Sequence, residues 1–262
     1  MPIRMAERSQ LATEPSPRIS LFGCQVDNIS MDEAVQRIET FIEQGGTQRY
    51  FAVNVHKIVS FRRSPELRNI ANRSDLVTAD GQWIVWTSKW FRKPLKGRVN
   101  GMDLMECLVK LAVDKQHGIY LLGAKAENLA IMVDHYQKQY PRLKILGSRN
   151  GYWSPEEESS VVQAIRQAGP HILFVGMSSP DKELFIDRNL QDLQVPFVMG
   201  VGGSFDVVAG VTSRAPMWMQ RNGLEWFWRV LQEPGRLWKR YLLDGIQFSF
   251  MVIRELVSGS AL

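Results

Sequence analysis

The sequence predicts an α/β protein: a mainly parallel sheet with helices on both faces, followed by a C-terminal helical appendage. Three observations predict this. Short runs such as Leu76 to Ala79, Gly118 to Leu122 and His171 to Val175 are free of Asp, Glu, Lys and Arg, as strands covered on both faces require. Helix-period segments alternate with these runs, the pattern of successive βαβ units. From about Pro216 the composition changes, and half of the eight tryptophans fall beyond that point together with a cluster of arginines.

Residues 1–19 carry Pro2, Pro15, Pro17 and several charges without an apolar stretch, and read as a disordered tail rather than a signal peptide. Leu21 to Val26 reads as the first strand. Met31 to Gln44 reads as a helix, with Ser30 as N-cap and Gly45-Gly46 as its stop. Tyr50 to Val55 is a short strand, and His56 to Ala71 is helical by periodicity with a kink at Pro65. Leu76 to Ala79, Gly118 to Leu122, Leu143 to Leu146, His171 to Val175 and Pro196 to Met199 are further strands. This places a core domain at residues 20–215 and a Trp/Arg-rich appendage at 216–262, with a helical run from Arg236 to Val257.

Composition narrows the class. The chain has 262 residues, 45% hydrophobic and 23% charged, enough for one well-packed domain of about 200–250 residues with extensions. The net charge of +5 suits phosphate-bearing ligands, an anionic membrane or nucleic acid without choosing among them. Cys24 and Cys107 have neither metal-ligand spacing nor disulfide density, which points to a reducing compartment. No apolar run approaches the roughly 18–20 residues of a spanning helix.

Open α/β sheets bind ligands at the carboxyl ends of their strands, so the residues there are the candidates. Asp80-Gly81 follows the strand Leu76 to Ala79. A carboxylate there can take a proton from an attacking hydroxyl, or simply cap the next helix. Asn54 stands at another strand end, as a hydroxyl or base contact or as a helix cap. Arg98, with Asn100 and Asp103, can grip hydroxyls or phosphate, or form a surface ion pair beside a capping Asn. Gly176 to Glu183 offers Lys182 and, with Pro180 at the first helical position, the free N–H groups of a helix start. The run Gly200-Val201-Gly202-Gly203-Ser204-Phe205-Asp206 lets backbone approach a ligand. Phe205 stands where G-x-G-x-x-G requires its last glycine, which breaks the dinucleotide fingerprint.

There is no D-x-D, P-loop, G-x-S-x-G, C-x-x-C or H-E-x-x-H, and His56, His117, His135 and His171 lack ligand spacing. The expectation is therefore no cofactor and no metal, with leaving-group charge met by Arg, Lys and backbone N–H groups. The appendage reads either as helices packed on their own domain or as an interfacial Trp/Arg face.

These pieces together resemble the WecG/TagA/CpsF glycosyltransferases (family 26). The resemblance is carried by Val53-Asn54, Ala79-Asp80-Gly81, Arg98-Val99 with Gly101 and Asp103-Leu104, Leu121-Leu122-Gly123, and Ser179-Pro180 with Glu183. A longer block extends it: Gly200 to Asp206, Ala209-Gly210, Arg214-Ala215-Pro216, Leu224-Glu225-Trp226, Arg229, Glu233-Pro234 and Arg236. The similarity runs from about Ser20 to about Arg240. It implies an inverting, metal-independent enzyme with a Rossmann-like core that uses a UDP-sugar and extends a saccharide on undecaprenyl diphosphate. Asp80 falls on the family's proposed base and Asn54 on its strand-end Asn. Arg229, Arg236 or Arg240 falls on arginines thought to clamp the diphosphate. The substrate-binding set on this reading is Asn54, Gly81, Arg98, Asp103, Gly123, Gly176, Lys182, Glu183, Gly202, Gly203, Asp206, Arg214, Arg229, Arg236 and Arg240. The implied location is cytoplasmic, peripheral on the inner face of the membrane through the appendage, without nucleic acid as partner; a homo-oligomer is left open. Ala52 stands where Thr is common and Lys182 where Gln is common, which leaves the donor sugar open: N-acetylmannosamine or its uronic acid, or instead glucose or another hexose. Two alternatives stand beside this reading: a nucleotide-dependent oxidoreductase, and a non-catalytic scaffold of polysaccharide assembly.

Overall fold

A computed structural model describes residues 17–258 of the chain, with only the backbone of Arg236. The sequence expectation for residues 1–16 and 259–262 lies outside the described residues. The chain opens on an antiparallel hairpin, β1 (Arg18–Leu21) and β2 (Cys24–Asp27). This corrects the single strand expected at Leu21 to Val26, and it brings Arg18 and Ile19 into the fold rather than the tail. The turn is Phe22-Gly23, both with positive φ, 53° and 76°, the conformation that two-residue hairpins use. Phe22 is held there by its ring, 5.3 Å from Phe91 and 5.4 Å from Phe248 between centroids.

Next come α1 (Met31–Gln44), β3 (Gln48–Val53), α2 (Val55–Phe61), α3 (Pro65–Asn72), β4 (Leu76–Ala79), α4 (Gln82–Trp90) and α5 (Gly101–Lys115). Ser30 caps α1 in a reciprocal capping box with Glu33, which satisfies two orphan N–H groups. The kinked helix expected over His56 to Ala71 is two helices. Ser64 accepts from the Leu67 N–H and Pro65 opens α3, so the chain restarts rather than bends. The remainder comprises β5 (Gly118–Gly123), α6 (Ala126–Gln139), β6 (Lys144–Arg149), α7 (Glu158–Ala168), β7 (Ile172–Gly176), α8 (Asp181–Leu193), β8 (Phe197–Gly200) and α9 (Ser204–Val208). Three more helices, α10 (Met217–Arg221), α11 (Glu225–Gln232) and α12 (Pro234–Ser258), form the C-terminal region.

Six strands pair in the order β4-β3-β8-β7-β5-β6, every pair parallel. Side chains alternate across the sheet, as the two-residue period of a strand requires. Ile172 and Phe174 join Tyr50, Leu121 and Met199 under α1, α5 and α6, while Leu173 and Val175 join Leu122 and Val198 under α7 and α8. Phe51, Val53, Val77 and Ala79 extend that second face beneath α2, α3, α4 and the hairpin. The appendage is not separate from this core, because Phe248 and Val252 of α12 are buried in the same cluster. Each such apolar side chain contributes about 1.5–3 kcal/mol when fully buried. Among the described residues, no helix is long and apolar enough to cross a membrane.

Candidate active site

All six parallel strands end toward one side, and the loops leaving them enclose a cleft of about 1270 Å³. Asn54 follows β3, Asp80 follows β4, Gly176 ends β7, and Gly202 and Gly203 follow β8; all line the cleft.

Asp80 is fixed by backbone. Its N–H donates to Val53 O at 2.9 Å, and its Oδ1 accepts the Gly101 N–H at 2.9 Å, the first N–H of α5. It does not cap α4; Gly81 occupies that N-cap. Asn54 lines the cleft and caps α2, accepting from the Lys57 N–H at 3.1 Å, which bears out the helix-cap reading.

The floor holds a cluster of charges. Glu183 is buried and its Oε1 accepts from both Lys57 and Lys182, the latter at 2.9 Å. Burial is the largest influence on Glu183 and pushes its carboxyl up, but the two ammonium groups together outweigh it and hold the group below its ordinary value. Burial, then repulsion from Lys182, pulls Lys57 down to about 8, against the opposing pull of Glu183 and Asp80. The Lys57 ammonium also lies 4.2 Å from the centre of the Phe51 ring. Lys182 reaches under the glycine turn: a Cβ on Gly200 would lie 3.0 Å from its Cδ, and one on Gly202 3.8 Å from its Nζ. Sequence reasoning missed Lys57, which reads as an ordinary helix lysine.

The glycines divide by role. Gly202 has φ +57° and lines the cleft. Gly123 has φ +131°, and a Cβ there would stand 2.4 Å from Gly176 O, so this glycine packs two strand ends together rather than facing the cleft. Phe205, the residue that breaks the dinucleotide pattern, is buried, its ring 2.5 Å from where a Gly176 Cβ would stand.

Of the remaining sequence candidates, Asp206 lines the cleft and accepts from Asn128 Nδ2 at 2.8 Å. Arg214 lines it from the loop before α10, and Arg229 and Arg240 line it from α11 and α12. Arg98 and Asp103 do not reach the cleft wall. Arg98 pairs with Glu225 of α11, and Asp103 with Arg214 at 2.5 Å. The first pair ties α11 to the loop before α5, and the second ties the loop before α10 to the first turn of α5. Asn100 caps α5 by accepting from the N–H groups of Met102 and Asp103, as the capping expectation has it, and it lines the cleft. Gly81 is a cap beside Asn54, and the Arg236 side chain lies outside the described residues. Pro180 is the N-cap of α8 rather than its first residue.

Fold and site define the class first: an open, wholly parallel α/β sheet with a polar cleft at its carboxyl edge, where such sheets carry their ligands. The sequence profile described as Glycosyl transferase WecG/TagA/CpsF family matches residues 19–261, and the chain belongs to that family and is a glycosyltransferase. Among its relatives is the N-acetylglucosaminyldiphosphoundecaprenol N-acetyl-beta-D-mannosaminyltransferase of Staphylococcus aureus (strain MW2), 31% identical over 89% of each chain. The protein of the same name from Bacillus subtilis (strain 168) is 33% identical over 71% of this chain and 72% of its own.

Proposed function

We propose that this enzyme moves a hexose, an N-acetylhexosamine or its uronic acid from UDP to a saccharide on undecaprenyl diphosphate, in bacterial surface or exopolysaccharide synthesis. The observation that carries the reading is the convergence of Asp80, Asn54, the two glycine turns and three arginines on one cleft. The names of the relatives support a diphosphoundecaprenol acceptor and an N-acetylmannosaminyl donor group for those proteins.

In the proposed reaction the pyrophosphate lies on the N–H groups at the start of α8 and in the Gly200 to Gly203 turn. Lys182, with Arg214, Arg229 and Arg240, offsets the charge that builds on the departing UDP, without a metal. The Gly101 bond occupies Oδ1 of Asp80. Its Oδ2 takes the proton of the acceptor hydroxyl as that oxygen attacks the anomeric carbon from the face opposite UDP, inverting the centre. An acceptor on a polyprenyl chain places the enzyme at the inner face of a membrane. The exposed apolar side chains of α12, among them Leu242, Ile246, Phe250 and Ile253, support that location.

The test is a panel of UDP-sugars with a short-chain lipid-diphosphate-saccharide acceptor, product read by mass. One donor giving a product one sugar larger is the expected result. No transfer from any UDP-sugar, with no thermal protection by UDP, refutes the reading and favours a scaffold.

A further inference from the structure

His56 belongs to the first turn of α2, two residues beyond Asn54, and lines the cleft. Its Nδ1 lies 2.7 Å from Asp244 Oδ2 of α12. The Asp244 side chain is 8% exposed and that of His56 35%, so a buried carboxylate of the appendage reaches its partner at the rim of the cleft. Either a neutral Nδ1–H imidazole or an imidazolium can donate in this bond.

The position of Asp244 along α12 gives the bond its consequence. Arg240, Asp244 and Phe248 are spaced four residues apart and share one helix face. Phe248 is buried in the core and Arg240 lines the cleft, with the His56 bond between them. Apolar contacts at Phe248 and Val252 hold α12 down but are non-directional. A short hydrogen bond to a buried carboxylate fixes rotation and translation of the helix. One turn further along, Gln247 accepts from Arg63 at 3.1 Å, a second directional contact to the segment between α2 and α3.

We infer that the His56–Asp244 bond is a positioning device for transfer, setting the register of α12 on α2 so that Arg240 stands over the cleft. His56 and Asp244 are then positioning residues that act through Arg240. The inference rests on the proposed reading in assigning Arg240 to the departing diphosphate. Misplacing such a group by about 1 Å can cost roughly a hundredfold in rate.

The experiment uses the full chain, its UDP-sugar donor and its lipid acceptor. Asp244→Ala and His56→Ala should each lower kcat at least tenfold with little change in KM for the donor. Asp244→Ala combined with Arg240→Gln should lose no more than the worse single variant, because one function is removed twice. Exchanging the pair, His56→Asp with Asp244→His, should recover part of kcat. Multiplicative losses in the double variant, or unchanged kcat in a folded Asp244→Ala protein, would overturn the inference. A second readout is independent of activity: trypsin should cut after Lys239 and Arg240 faster in His56→Ala than in the parent chain without ligand. Equal cutting rates overturn the clasp even if Asp244→Ala does not fold. A parent chain inactive with every donor refutes instead the functional reading on which Arg240's role rests.

Discussion

Replacing Glu183 by Gln probes the buried charges most sharply. Glu183 is 5% exposed and one of its oxygens accepts from both Lys57 and Lys182. Gln at this position leaves two ammonium groups facing one another below the glycine turn, the situation in which breaking a buried pair costs about 3–5 kcal/mol. For a chain of this size each kcal/mol moves the midpoint by about 2–4 °C, so Tm should fall by roughly 6–20 °C. Lys57→Met should cost less, about 1.5–3 kcal/mol for the lost charged hydrogen bond, because Glu183 keeps Lys182 at 2.9 Å. Lys182→Gln should cost least, since Lys57 continues to neutralise Glu183. The order is measurable by urea unfolding followed by circular dichroism. A pH dependence accompanies it. The carboxyl of Glu183 is held below its ordinary 4.5 in the folded chain, so its stabilisation is present above pH 4.5 and is lost as pH falls below it. Glu183→Gln should flatten that acid limb. A Glu183→Gln protein no less stable than Lys182→Gln, or one with an unchanged acid limb, would refute the network.

Three further outcomes follow from other parts of the molecule. His117 packs against His171 with tilted rings, centroids 4.7 Å apart, and burial and then His171 hold its imidazole below the ordinary 6.5; acidification below pH 6.5 should therefore destabilise the chain, and thermal melts of His117→Phe should show a weaker dependence between pH 7 and 5. Phe250→Glu with Ile253→Glu, at positions 68% and 58% exposed, should cut binding to anionic vesicles at least tenfold, since each apolar insertion is worth about 1.5–3 kcal/mol; Tm should stay unchanged, and equal vesicle binding would remove this face from the membrane contact. EDTA should leave turnover unaltered, and a strict requirement for added divalent ion would contradict the cationic route for the leaving group.

Much of the scaffold was legible because its signals are local. The uncharged runs locate the parallel strands, Leu76 to Ala79 to the residue, and Ser30 as N-cap marks the start of α1. The strand-end rule then directs attention to Asn54, Asp80 and the glycine turns, which do share one cleft. The hairpin was hidden because Phe22, a bulky residue at positive φ, continues an apolar run that reads straight through; its ring contacts with Phe91 and Phe248 are distant in sequence and leave no local trace. The edge strand β6 was read too early and too short. Its Gly147, Ser148 and Arg149 alternate between half-buried and exposed, unlike the central strands. Side-chain pairs distant in sequence left no local trace: Lys57 with Glu183, His56 with Asp244, Arg98 with Glu225 and Asp103 with Arg214. Arg98 and Asp103 do not line the cleft: Arg98 is paired with Glu225 of α11, and Asp103 with Arg214 of the loop before α10.

The central claim is that one strand-end carboxylate removes the proton of the attacking hydroxyl, and kcat of Asp80→Asn measured beside UDP binding by the same protein tests it most directly. Turnover should fall by about 10²–10⁴-fold with UDP affinity nearly intact. Turnover within a few-fold of the parent enzyme would contradict it.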